Sequence, residues 1–226
     1  MGDLRQNPVR LRELAAFILS REGLDPYFYC DSLGYVTIGI GTLVATEDDA
    51  RRIAQDPNVH FTFHNAPHRD STEDDVAADW RHVHDRAGLQ EHDYRNVAEL
   101  RLDKGSVGYL MMQEISQSSD KLYHAHPLLL NFDARVAMAF VDARYNSAGV
   151  NPYQSPQTRP LWEALDPKSP RFNINTAVSL FETIWANRGG RLKARYVTRH
   201  WQSAVAAPGF GSNGLAPCTE ERGWLT

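Results

Sequence analysis

The sequence has no long hydrophobic run and few cysteines. No stretch of about 18 apolar residues occurs among its 226 residues, so we expect no membrane-spanning helix. Its two cysteines, Cys30 and Cys218, are too few for a disulfide scaffold, and spacing alone leaves open whether they pair. The net charge of −4 gives no global argument for a nucleic-acid partner, and we expect none.

The N-terminal residues also lack the apolar segment of a signal peptide, because charges interrupt the stretch MGDLRQNPVRLREL. We therefore expect synthesis in the cytoplasm and export by another machine if the protein acts elsewhere. There is no internal repeat and no low-complexity tract. A hydrophobic fraction of 42% is enough for a buried core, and the length fits one large domain or one domain with an insertion.

Charge is distributed unevenly along the chain. Residues 46–100 contain 13 acidic residues against 6 arginines, a net charge of −7, whereas residues 184–218 contain five basic residues and no acid. The acidic region also holds six of the nine histidines: His60, His64, His68, His82, His84 and His92. No cysteine lies near them and no helical i, i+4 histidine pair is evident, so we expect surface or substrate-facing histidines and no metal site.

The sequence indicates a first helix, then a β hairpin, and then a series of further helices. Asn7-Pro8 is a good helix start, apolar residues then recur at helical spacing, and Gly23 is a natural stop after Glu22. The runs PYFYCD and GYVTIGI flank a turn over residues 31–34 and predict a β hairpin. Capped helices are expected in TEDDARRIAQD and STEDDVAADWRHVHDRAG. From LDKGSVGYLMMQEISQSSDKL onward the chain is expected to be helical, with further helices over 132–146, 158–165, 175–187 and 190–205.

The first helix and the hairpin carry two carboxylates that suit the hydrolysis of a glycosidic bond. This chemistry needs one carboxylic acid to protonate the leaving oxygen and a second carboxylate to direct water or stabilise the sugar cation. Glu22 follows an apolar helix face that could shield it, and Asp31 follows at a turn that could keep it solvated. Acidic residues nine apart are common, so the pair alone does not decide the function.

The stretch REGLDPYFYCDSLGYVTIGIGT, residues 21–42, resembles the signature of the bacteriophage-type lysozymes, glycoside hydrolase family 24. That signature is a helix ending in Glu-Gly, a Tyr-x-Asp nine residues on, and then Gly-Tyr-x-Thr-Ile-Gly-x-Gly. The resemblance implies Glu22 as the general acid, Asp31 as the second carboxylate and Thr37 as a hydroxyl that holds the attacking water. It also implies inversion at the anomeric carbon and no cofactor.

Weaker similarities extend along the chain. VAMAFVDARYNSAGV resembles the family's buried central helix, which implies that Tyr145 and Asn146 contact the substrate. The resemblance implies an α+β, mostly α, two-lobed fold with a small N-terminal β hairpin or sheet and a helical C-terminal lobe. We accordingly expect a catalytic domain over 1–205, with 45–100 as an inserted acidic, histidine-rich subdomain, and a surface tail over 206–226. Four of the five tryptophans, Trp80, Trp162, Trp185 and Trp201, are expected in the core.

The resemblance implies a peptidoglycan hydrolase that cleaves the β-1,4 bond between N-acetylmuramic acid and N-acetylglucosamine. Its substrate would be the glycan strands of the periplasm or cell wall of a target bacterium. The protein would be a monomeric phage endolysin or an antibacterial type VI secretion effector, with a secretion carrier or an immunity protein as further partners. A lytic transglycosylase and a non-catalytic wall-binding module are the alternatives. The presence of Asp31 and Thr37 favours hydrolysis over transglycosylation. The complete set of Glu22, Asp31 and Thr37 argues against a non-catalytic module.

Overall fold

The computed structural model describes residues 2–22, 24–31, 33–146 and 155–186, and for residues 21, 22, 145, 146, 185 and 186 it describes the helical backbone alone. The described chain is mostly helical with two small antiparallel sheets, which confirms the broad α+β prediction. It divides into two compact units, one formed by Ala15–Glu114 and the other by Met1–Leu14 together with the chain from Ile115 onward. None of the described helices is both long and apolar enough to cross a bilayer.

The helices begin and end close to the positions that the sequence predicts. They are α1 (Pro8–Glu22), α2 (Glu47–Ala54), α3 (Glu73–His84), α4 (Lys104–Ala125), α5 (Ala134–Asn146), α6 (Arg159–Leu165) and α7 (Ile174–Ala186). Short 3-10 helices cover Leu4–Gln6, Glu91–Asn96 and Pro127–Asn131. The helix expected over 190–205, the tail over 206–226 and Cys218 lie outside the described residues.

Capping residues explain where the first three helices start. The Asn7 side chain accepts a hydrogen bond from the Arg10 amide at 3.0 Å, and Pro8 occupies the first helical position, where its missing N–H costs nothing. Helices α2 and α3 both open with a capping box. In α2 the Thr46 hydroxyl accepts from the Asp49 amide while the Asp49 carboxylate accepts from the Thr46 amide. Two orphan N–H groups are thereby satisfied at each start.

Two three-stranded antiparallel sheets lie in the unit Ala15–Glu114. The first has the order β1-β2-β3, with β1 (Asp25–Cys30), β2 (Val36–Gly39) and β3 (Thr42–Leu43). The second has the order β5-β4-β6, with β4 (Phe61–Phe63), β5 (Ala66–Asp70) and β6 (Leu100–Leu102). All five residues of the edge strand β5 are exposed. The hairpin β1–β2 was predicted, whereas β6 was not, because LRL is too short to show an alternating pattern.

The β1–β2 hairpin buries one complete face in the core. Cys30 lies opposite Val36, so these two side chains share a face, and alternation adds Phe28 and Ile38 to it. All four are nearly inaccessible to solvent. Phe28 stacks on Phe61 of β4 with ring centroids 5.7 Å apart.

Residues 45–100 supply most of what covers this hairpin. Helix α3, strand β6 and the 3-10 helix Glu91–Asn96 all contact β1. The Cys30 Sγ lies 3.7 Å from the Val83 carbonyl oxygen of α3, and the Trp80 indole N–H donates to the Val44 carbonyl oxygen at 2.8 Å. The region predicted as an inserted subdomain therefore shares its hydrophobic core with the hairpin.

A buried carboxylate fastens α3 to β6 inside this region. Asp79 is only 4% exposed, and its two oxygens accept hydrogen bonds from the Glu99 amide at 2.7 Å and the Leu100 amide at 3.1 Å. Burial raises the pKa of this carboxyl, against the lowering effect of the two backbone donors. The start of β6 is thus fixed by a polar contact that the sequence pattern does not reveal.

The other unit is organised around α5. Residues 136–141 of this helix are all nearly inaccessible to solvent, as expected for a helix that is apolar on every side. Phe140 stacks on Trp162 of α6 at 4.3 Å between centroids and meets Phe181 of α7 edge-on at 5.2 Å. This aromatic cluster joins the last three described helices into one core.

The packing of residues 45–100 against the hairpin predicts that a chain without them cannot fold normally. A variant that replaces residues 46–100 by a short linker should fail to fold its N-terminal unit, because Phe28, Val36 and Ile38 would lose their cover. Exposing each of these three side chains to water costs about 1.5–3 kcal/mol. The sum of the three costs is comparable with the free energy of unfolding of a small domain, which is about 5–15 kcal/mol. Circular dichroism during heating is the measurement, with the full chain as reference. A cooperative transition in the shortened chain at the temperature of the full chain would contradict this expectation.

Candidate active site

The three residues predicted to carry catalysis all belong to the unit Ala15–Glu114. Glu22 is the last residue of α1, and β1 begins at Asp25, so the helix leads almost directly into the hairpin. The structure describes the backbone of Glu22 but not its side chain. The position of its carboxylate therefore stays a prediction, while its place at the helix end agrees with the sequence analysis.

Asp31 lies directly after β1, where the hairpin turns. Its Oδ1 accepts hydrogen bonds from the Leu33 amide at 2.8 Å and from the Tyr35 amide at 2.9 Å. Its own amide donates to the Tyr35 carbonyl oxygen at 2.9 Å, which extends the strand pairing by one residue. No described residue donates to Oδ2. One oxygen of this half-buried carboxylate thus shapes the turn, and the other receives no hydrogen bond from the described residues.

Thr37 lies in β2, the central strand of its sheet, and is 5% exposed. Its hydroxyl donates to the Tyr29 carbonyl oxygen at 3.3 Å. This distance is long for an O–H···O hydrogen bond, whose usual range is about 2.5–3.0 Å, so the contact is weak. The Thr37 hydroxyl therefore remains able to interact with another group.

Strand register places Asp31 and Thr37 on one face of the hairpin. Thr37 lies opposite Tyr29, and Asp31 follows Tyr29 by two residues, so all three side chains leave the sheet on the same side. Asp31 and Thr37 occupy diagonal positions, which in antiparallel pairs are typically about 7–8 Å apart. The opposite face carries Phe28 and Cys30, and on the polar face Tyr29 and Thr37 are buried while Asp31 is half-buried. The hairpin therefore presents a polar pair on one side while its other side is anchored in the core.

The exposed border of this polar face is apolar. Tyr35, which lies across from Asp31, is 56% exposed, and Leu43, which lies opposite Thr37 in β3, is 55% exposed. Tyr29, by contrast, is buried. The half-buried Asp31 carboxylate, bordered by an aromatic ring and an aliphatic side chain, can accommodate a ligand with both hydroxyl groups and apolar faces.

Three glycines of the motif have backbone angles that favour glycine over other residues. Gly34, Gly39 and Gly41 have φ values of 82°, 69° and 76°, in the left-handed region that side chains with a Cβ rarely adopt. A Cβ at Gly41 would meet no atom within 4 Å, so the backbone angle and not a lack of space selects glycine there. These residues shape the turns at either end of β2 and thereby fix the position of Thr37. The fourth motif glycine, Gly23, lies outside the described residues.

The two predicted substrate contacts lie in the other unit. Tyr145 and Asn146 form the last turn of α5, and their side chains are not described. Their proposed contact with substrate remains a prediction. Helix α5 itself is buried, as the sequence analysis expected for the segment that contains them.

The histidines of the acidic region and two of the tryptophans expected in the core have described side chains. His82 is half-buried, and the other five histidines of the acidic region are exposed. Across residues 2–22, 24–31, 33–146 and 155–186, no group of three histidine, cysteine or acidic side chains is arranged to hold a metal ion. Trp80 and Trp162 are buried in the core, at 7% and 8% exposure. Trp185 and Trp201 have no described side chain.

Comparisons of the chain with models of known protein families, with characterised proteins and with solved structures gave no match. The assignment of function therefore rests on the motif and on the geometry of the hairpin.

The structure adds a residue that the sequence analysis left without a role. Tyr29 lies opposite Thr37 in the strand pair, and burial raises its pKa to about 12. The Thr37 hydroxyl opposes this rise, and the negative charges of Glu91, Asp25 and Asp31 add to it. Its spacing of two residues from Asp31 was the sequence signal for a shared face.

The turn geometry predicts different effects for two substitutions of Asp31. Asp31→Asn should keep the stability of the protein, because the amide oxygen can still accept from the Leu33 and Tyr35 amides. Asp31→Ala should lower the free energy of unfolding by about 1 kcal/mol, because both donors lose their acceptor. Urea unfolding measures both, with Asp70→Ala as the control, since no described residue donates to that exposed carboxylate. Equal stability of all three variants would show that the turn does not depend on Asp31.

Proposed function

We propose that this protein is a peptidoglycan hydrolase of the lysozyme type, which cleaves the β-1,4 bond between N-acetylmuramic acid and N-acetylglucosamine. The observation that carries the proposal is the shared face of Asp31 and Thr37 on a hairpin that directly follows the helix ending in Glu22. The spacing of these three residues is that of the bacteriophage-type lysozyme signature. A glycosidase of this kind needs two carboxyl groups with different surroundings.

Glu22 acts as the general acid in this mechanism. Its carboxyl group donates a proton to the glycosidic oxygen as the bond from the anomeric carbon to that oxygen breaks. The leaving sugar departs with a new hydroxyl group, and Glu22 is left as a carboxylate. Positive charge develops meanwhile on the sugar ring that retains the anomeric carbon.

Asp31 and Thr37 position and activate the attacking water. The Oδ2 of Asp31 is the oxygen that the turn leaves available, so it can accept one proton of a water molecule. The Thr37 hydroxyl, weakly bound to the Tyr29 carbonyl oxygen, can hold the same water from a diagonal position. Attack from the face opposite the leaving group gives a product with inverted anomeric configuration, and the proton returns from Asp31 to Glu22 through solvent.

Other features support the proposal. Tyr35 and Leu43 offer apolar surface beside the carboxylate, against which the flat face of a sugar ring can pack. The division of the chain into two compact units fits a two-lobed enzyme. On this proposal Tyr145 and Asn146 contact the glycan strand. The protein acts in the periplasm or cell wall of a target bacterium, to which a phage or a secretion system delivers it.

Glu22→Gln should remove nearly all hydrolysis of purified peptidoglycan. Glutamine keeps the shape of the side chain but cannot supply the proton, a step that typically contributes about 10²–10⁴-fold to the rate. Release of reducing sugar is measured, and products are identified by mass spectrometry. Glu13→Gln, a half-buried position of the same helix whose side chain pairs with Arg10, is the matched control and should retain full activity.

The same digestion separates the alternatives. A new reducing end identifies hydrolysis, an anhydro end identifies a lytic transglycosylase, and binding to the wall without product identifies a non-catalytic module. Asp31→Asn is a second test of the mechanism, because this variant should stay folded and lose hydrolytic activity. Wild-type rates in either Glu22→Gln or Asp31→Asn would refute the mechanism with two carboxyl groups.

A further inference from the structure

The face of the hairpin that carries Asp31 continues across all three strands of its sheet. Tyr35 lies across from Asp31, and the register of β2 with β3, extended by one residue, places Ala45 on the other side of Tyr35. In the neighbouring row, Thr37 lies opposite Leu43. Cross-strand partners point to the same side of a sheet, and residues two apart in a strand do so as well. These five side chains therefore share one face.

Tyr35 combines an exposed ring with a fixed backbone. The residue is 56% exposed, and Ala45 is too small to cover its ring from the side of β3. The Tyr35 amide donates to the Asp31 Oδ1 at 2.9 Å, and the Tyr35 carbonyl oxygen accepts from the Asp31 amide at 2.9 Å. A tyrosine held in this way offers a large contact area and loses little conformational entropy when a ligand covers it.

The charge of this face distinguishes between the two chemical parts of peptidoglycan. Asp31 is the one charged residue among the five, and the other four are neutral. The peptide stems carry carboxylates, which the Asp31 carboxylate repels. A neutral sugar ring has a C–H face that can pack on Tyr35 and hydroxyl groups that can donate to the Asp31 Oδ2, which receives no hydrogen bond from the described residues. The face therefore suits the sugar chain better than the peptide.

We propose that Tyr35 is a substrate-binding residue that stacks on a sugar ring of the glycan strand beside Asp31, so that this part of the site recognises the glycan and not its peptide stems. The proposal rests on the proposed function and names the part of the substrate that this residue binds. The stacked ring is in contact before and during bond cleavage. Such a uniform contact lowers KM and leaves kcat unchanged.

The test compares Tyr35→Ala and Tyr35→Phe on two substrates, soluble peptidoglycan fragments with their stems and the same fragments stripped of stems by an amidase. Tyr35→Ala should raise KM about fivefold on both substrates with an unchanged kcat, because it removes one stacked ring. Tyr35→Phe keeps the ring and should keep the wild-type KM. The same substitutions in the Glu22→Gln background allow binding of both fragments to be measured by calorimetry without turnover.

Phe172→Ala is the matched control. Phe172 is also an exposed aromatic residue, at 37%, but it belongs to the other compact unit, two residues before α7. This variant should keep the wild-type KM on both substrates. Urea unfolding checks that the variants are folded, and Tyr35→Ala should stay close to the wild type because the hydrogen bonds of Tyr35 to Asp31 come from its backbone.

The outcomes separate the stacking role from the proposed function. In an active enzyme, a wild-type KM for Tyr35→Ala or an equal rise for Phe172→Ala overturns the stacking role alone. A rise in KM limited to the fragments with stems also overturns it, since the ring would then contact the peptide. A wild-type protein that binds both fragments without cleaving them overturns the proposed function, while a fivefold loss of affinity in Tyr35→Ala would still support the contact. Absence of both binding and cleavage overturns both proposals.

Discussion

The alternation of side chains along the β1–β2 hairpin is the constraint on which the candidate site depends. Because successive residues point to opposite sides of a strand, burying Phe28, Cys30, Val36 and Ile38 forces Tyr29, Asp31 and Thr37 to the other side. A register shift of one residue would exchange the two faces and bury the carboxylate. The core contacts made by residues 45–100 therefore orient the polar pair.

Local signals in the sequence were sufficient for most of the described helices and for the hairpin. Asn7-Pro8, Thr46 and Thr72 marked the starts of α1, α2 and α3 because a cap acts on N–H groups within its own turn. The bounds of α5, α6 and α7 lie within two residues of the predicted ones. Strand β6 was missed because its position depends on Asp79, which is 21 residues away from Leu100. Contacts at that distance leave no periodic pattern in the sequence.

The residues of the candidate site could be predicted from the sequence, but their hydrogen bonds could not. Spacing within the motif indicated Asp31 and Thr37, and their common face follows from counting residues along two paired strands. The sequence could not show that Oδ1 of Asp31 is occupied by two amides, nor that the Thr37 hydroxyl is shared with Tyr29. Both depend on the path of the turn and on side-chain rotation. The relation of Asp31 to Glu22 remains a prediction from the motif.

The open edge of β5 bears on how this chain behaves at high concentration. An exposed edge strand normally offers a row of free N–H and C=O groups to a strand from another molecule. Here Pro67 lies within the strand and has no N–H to offer, and the charged side chains of Arg69 and Asp70 follow it. A fourth strand paired along that edge would find no N–H at Pro67 and would have to accommodate the charges of Arg69 and Asp70. These side chains disfavour growth of the second sheet by pairing at its open edge.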